Sequence, residues 1–127
     1  MSEWVAATRG DKMADYTETV ELADWKVGDR WNGISEITPT INDATPTNDL
    51  TRVRMVFRLG GTTYELDSND GDITITDANA WEASIPARDT FLPRAGKWAF
   101  EIEFFQTGYA APWTLYKGTL TAHDDID

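Results

Sequence analysis

Four segments of this chain, residues 52–58, 72–76, 81–85 and 98–104, alternate apolar with polar side chains in period two. That period belongs to strands that turn one face to a core and the other to water, because successive side chains point to opposite sides of a pleated strand. No segment between them carries a helix-length apolar stripe. Several such strands in one small chain predict an all-β fold, an antiparallel β-sandwich. The inward set is read from the same alternation as Trp31, Val53, Met55, Phe57, Ile73, Ile75, Trp81, Ile85, Trp98, Phe100, Ile102 and Phe104.

Residues 1–16 read as an N-terminal arm, without strand alternation or a helical stripe, and residues 17–127 as the sandwich domain. From Thr17 the strand pattern begins, with Val20 and Leu22 alternating against Thr19 and Glu21, and Gly28-Asp29 forms a turn. A strand follows over residues 30–38. Residues 38–49 hold two prolines and a crowd of turn formers, which predicts a loop, since proline cannot donate to a ladder. Strands at 52–59 and 62–66 flank a Gly60-Gly61 hairpin. Turns at 67–71 and 77–79 lead into strands at 72–76 and 81–86. Residues 87–96 are a longer connection, 97–105 the longest strand, 106–113 an aromatic-rich loop and 114–122 the closing strand. Residues 123–127 are an acidic tail. This gives seven or eight strands.

At 127 residues the chain is one domain, long enough to bury a core without staples. It has no cysteine, so disulfides, thiolate nucleophiles and Cys-ligated metals are excluded. Acids outnumber bases 22 to 11, a net charge of −11. Such a surface repels phosphate backbones, and no nucleic-acid partner is expected. The charge is read as a solubility device that also discourages edge-to-edge pairing. No apolar run has the length of a membrane span or a signal-peptide core, so the expected setting is assembly in a cytoplasm with no membrane partner.

Little here serves catalysis. His123 is the single histidine and falls in the tail, where it lacks a companion for a nucleophile-base pair or a zinc site. Asp67-Ser68-Asn69-Asp70-Gly71-Asp72 is the one segment like a calcium loop. Its glycine falls at position five and Ala78 at position twelve, where an EF-hand wants glycine at six and glutamate at twelve. A tight hairpin turn explains the same residues. The expectation is a protein that is not an enzyme and has no cofactor or metal.

The tryptophans say more. Trp31, Trp81 and Trp98 are read as core, whereas Trp4, Trp25 and Trp113 occupy an arm, a strand end and a loop. Trp and Tyr dominate interface anchors because they bury large area at small entropic cost. Tyr109-Ala110-Ala111-Pro112-Trp113 is therefore a candidate contact loop, with folding back over the sandwich end as the other reading. Aromatic residues in such a loop also stack on sugars. In the arm, Trp4 and Val5 are the main apolar anchors, read as packing on a neighbouring subunit. An arm lying along its own sheet edge is the other reading.

The order of elements resembles a known family. Gly28-Asp29-Arg30-Trp31-Asn32-Gly33-Ile34 is similar to a G-D-x-W/F-x-G-I opening, and Asp49-Leu50-Thr51 with residues 53–58 resembles the strand after it. Gly71-Asp72-Ile73-Thr74-Ile75-Thr76-Asp77-Ala78 resembles a G-x-I-T-I-T-D-A hairpin. Residues 93–102 resemble a P-x-G-x-Y/W-x-x-D/E-I segment, and residues 116–122 an L-x-G-T-W-x-V final strand. The ordered set resembles the immunoglobulin-like N-terminal domains of tailed-phage baseplate and fibre-attachment proteins. The resemblance implies an immunoglobulin-like sandwich and a structural virion protein, a tail, baseplate or fibre-attachment adaptor. Its implied partners are other phage structural proteins, in a homo-oligomer or symmetric assembly. A capsid decoration (cement) protein is the alternative within virions. A carbohydrate-binding module using Tyr109 and Trp113 is the alternative from another class. The expected interface residues are Trp4, Val5, Tyr109, Pro112 and Trp113.

Overall fold

A computed structural model of the chain describes residues 17–41 and 43–124. The period-two segments become strands as expected, and the described residues hold nine. They are β1 (Glu18–Glu21), β2 (Trp25–Lys26), β3 (Ile34–Ile37), β4 (Leu50–Leu59), β5 (Thr62–Asp67), β6 (Thr74–Asp77), β7 (Glu82–Ile85), β8 (Gly96–Gln106) and β9 (Trp113–His123). The excess over seven or eight comes from the first segment, which splits into β1 and the two-residue β2.

Two sheets form a sandwich-like pair. The larger runs β1-β9-β8-β4-β5, with β2 also on β9, and the smaller runs β3-β7-β6. The β4–β5, β6–β7 and β8–β9 ladders are antiparallel hairpins. The chain passes between sheets after β2, after β3, after β5 and after β7. Residues 67–71 are thus a crossing rather than a hairpin turn: β5 pairs with β4 while β6 pairs with β7, and a 3₁₀ turn at Ser68–Asp70 joins them. The strand expected over residues 30–38 shrinks to β3, with Trp31 outside it in an isolated bridge to Arg88. His123 belongs to the end of β9 rather than to a tail, and its Nε2 lies 2.7 Å from Asp24 Oδ2.

The N-terminal strands add to the antiparallel framework in parallel, β1 matching Glu18–Glu21 with residues 116–119 of β9. Gly118 makes this possible. A Cβ there would fall on the Val20 carbonyl, so only glycine lets β1 come this close. Gly118→Ala is expected to cost about 1–3 kcal/mol, by analogy with an overpacked core. It should also remove the hydrogen-exchange protection of Val20 and Glu21 while β4 and β8 keep theirs. Unchanged protection of β1 in that variant would contradict the parallel register.

Of the twelve residues read as core, eleven are buried, and Ile75 is half-buried because β6 is an edge strand. Two aromatic groups fill the space between the sheets. At one end Phe91 stacks on Trp31 (ring centroids 4.0 Å apart) and meets Trp25, Phe57 and Tyr64 edge-on. At the other, Phe104 lies between Trp81 and Tyr116, with centroids 6.2 and 6.0 Å away. Trp25, expected to be a spare aromatic, is therefore core: it is 7% exposed and its indole N–H donates to the Asp29 carbonyl.

Candidate functional site

Charged clusters are engaged within the fold. Asp67 is buried at the end of β5, and its carboxylate accepts from the Arg52 guanidinium and from the Asn69 backbone N–H. The hydrogen bond from Arg52, with the Asn69 N–H, holds the Asp67 carboxyl below the ordinary carboxylate range, and the Asp67 carboxylate in turn holds the Arg52 guanidinium above its own, each against the opposing effect of burial. Arg52 also lies 4.9 Å above the Phe105 ring. Asp72 accepts from the Asp67 N–H and from Arg88. The carboxylates of Asp67 and Asp72 are thus directed at arginines and at backbone N–H groups. Among the described residues, no group of three or more His, Asp and Glu converges as a metal site would need.

The outer face of the larger sheet is a lattice of cross-strand pairs, Arg54 with Glu103 at 2.7 Å and Arg58 with Glu101 at 3.7 Å. A shallow dip over Ala99 lies between Arg58 and Lys117. At the Phe91 end a second hollow is walled by Trp25 and Trp31, both more than nine-tenths buried and committed to the core.

The other end of the sandwich is built differently. Three connections meet there, residues 38–49, 78–81 and 107–112. Thr107 N–H donates to the Asp49 carbonyl (3.0 Å), and Asn48 Nδ2 donates to the Thr107 carbonyl (3.0 Å). The Trp81 indole N–H donates to the Asn48 carbonyl (2.6 Å), and Leu50 N–H to the Ala78 carbonyl (3.0 Å). Trp81 does this from a turn, at φ 60°, rather than from the strand position expected of it. Its ring, fully buried against Phe104, fixes the backbone of the 38–49 connection.

A cleft of about 310 Å³ opens between these connections, walled by Ile41, Pro46, Asn48, Gln106, Tyr109 and Trp113. Tyr109 is 58% exposed, the one large apolar side chain so exposed among the described residues. Trp113 is half-buried and its indole N–H donates to Gln106 Oε1 at 2.6 Å. Pro112 is exposed beside Trp113 in the chain and does not line the cleft. The structure brings Tyr109, Pro112 and Trp113 together at one end, while Trp4 and Val5 lie outside the described residues. Thr17, the first described residue, donates its hydroxyl to the Thr114 carbonyl at 2.6 Å, one residue from Trp113.

Gln106 and Asn48 were not among the expected site residues. Gln106 had a signal in the sequence: it continues the inward phase of Trp98, Phe100, Ile102 and Phe104, so a polar side chain enters the end of the core. Asn48 had none, because the distant hydrogen bonds that place it leave no local pattern. No protein family and no curated protein matches the chain.

Proposed function

We propose that this protein is a structural subunit of a tailed-phage particle, an adaptor in the tail, baseplate or fibre attachment that works by protein contacts without turnover chemistry. The observation that carries the reading is the order of the five resembling segments along a chain with this connectivity. They fall in sequence on the Gly28–Gly33 turns, β4, the β6–β7 hairpin, β8 and β9. The strand order also supports an immunoglobulin-like reading. Strands β3, β7 and β6 stand where such domains place B, E and D, and β9, β8, β4 and β5 where they place G, F, C and C′. Rigid ladders with contact residues in end loops suit a subunit that must hold neighbours in place.

Two contact elements follow from this reading. Trp4 and Val5 of the N-terminal segment pack on a neighbouring subunit, and the Tyr109–Trp113 loop is the second element. Removing residues 1–12 should leave the melting temperature of the isolated protein unchanged and abolish its incorporation into particles. A truncated protein that melts several degrees lower yet still joins the particle would assign those residues to their own fold. The reading as a whole is tested by quantitative mass spectrometry of gradient-purified particles from the host of this gene. A constant copy number per particle is expected, and loss of the chain on purification would refute the reading.

A further inference from the structure

We infer that the cleft at the Tyr109 end is a binding site for a neutral saccharide, a pyranose stacked on the exposed Tyr109 ring and held by the buried amide of Gln106. The inference rests on the Tyr109–Trp113 loop being a contact element, and names its ligand. It is independent of where the subunit sits in a particle.

The first support is Gln106 itself. It is 7% exposed and lines the cleft. An indole N–H can only donate, so the branch of the amide turned to Trp113 is the oxygen, and the opposite branch is the NH₂. That NH₂ has no hydrogen-bond partner among the described residues. A buried amide donor without an acceptor is costly, so one placed in the wall of an open cleft is matched to an acceptor that arrives from outside. A sugar hydroxyl, ring oxygen or acetamide carbonyl supplies it.

The second support is the rest of the lining. Tyr109 offers exposed aromatic surface, and the electron-rich face of a ring attracts the polarised C–H bonds on one side of a pyranose. Thr45, Thr47 and Asn48 add hydroxyl and amide groups to the same cleft. This mixture of apolar walls with a few placed polar groups is how small-ligand sites are built, and about 310 Å³ is at the low end of their size, room for one or two sugar rings.

The third support is charge. None of the nine lining residues is an Asp, Glu, Lys, Arg or His, in a chain of net charge −11. An anionic ligand would meet repulsion with no cation to offset it, which excludes sialylated and sulfated sugars and selects neutral ones.

The test is a glycan array probed with the full chain, followed by tryptophan-fluorescence titration with the best-bound neutral disaccharide. Binding confined to neutral glycans is expected. Tyr109→Ala, at a side chain outside the core, should weaken it about tenfold. Gln106→Leu should weaken it further, with circular dichroism checking that the variant folds. A blank array, binding confined to anionic glycans, or affinity unchanged in Tyr109→Ala would each overturn the proposal. A blank array together with faster hydrogen exchange of residues 106–113 after removal of residues 1–12 would show that the chain's own N-terminal segment fills the cleft. Glycan binding by a protein that proves absent from particles would leave this site standing and remove the virion reading.

Discussion

Arg52→Ala is expected to destabilise the protein by about 3–5 kcal/mol, because it strands a buried carboxylate. The side chain of Asp67 is 6% exposed and that of Arg52 31%, so the pair sits at the edge of the core rather than on the surface. Two guanidinium nitrogens reach the carboxylate. Once they are gone, the Asn69 N–H is the main donor left to it. The double variant Arg52→Ala/Asp67→Asn should recover part of the loss, since the remaining amide carries no charge and can still cap the 3₁₀ turn. Urea unfolding of the wild type, both single variants and the double variant measures the coupling. Additive single effects would mean that the pair contributes nothing beyond its separate side chains.

The same pair sets an acid limit. The Asp67 carboxyl is held below its ordinary range in the folded state, so the unfolded chain takes up this proton first as pH falls. Its contribution is fully present above the unfolded-state value and drains away as pH falls through the folded one. The wild type should therefore lose stability across that acidic window more steeply than Arg52→Ala, and the two should converge below it.

Trp81→Ala is the second large effect expected, about 3–5 kcal/mol for a fully buried indole. This loss reaches the cleft as well as the core. The Trp81 ring fills space beside Phe104 while its N–H holds the Asn48 carbonyl, so one side chain ties the smaller sheet's hairpin to the 38–49 connection. Trp81→Phe, which restores much of the volume without the N–H, should recover most of the stability. It should nevertheless leave residues 45–48 exchanging faster than in the wild type. If Trp81→Phe protects those residues as well as the wild type does, the indole hydrogen bond is not what positions the cleft.

How far the sequence could be read depends on whether a feature is local. Val53, Met55 and Phe57, and the row from Trp98 to Phe104, were legible because alternation along one strand is enough to assign their face. Phe91 was not. It sits in an irregular connection, yet it is the ring on which Trp25, Trp31, Phe57 and Tyr64 converge, and only the folded chain brings those four together. Trp25 was misread for the same reason, its partner lying 66 positions away. The crossing at residues 67–71 looked like a hairpin turn because Asp and Gly serve both; the difference lies in which strands pair, which no local signal carries. At the cleft, Tyr109 and Trp113 were visible as aromatic residues outside any strand pattern. Gln106 was hidden in a strand whose other inward residues are all apolar.

The most direct test of the structural-subunit reading is cryo-electron microscopy of the purified particles. The expected result is density in the tail, baseplate or fibre attachment that fits the two-sheet sandwich, with residues 1–16 reaching a neighbouring subunit. Density confined to the capsid shell would assign the chain to decoration instead. Particles with no such density anywhere would contradict the account.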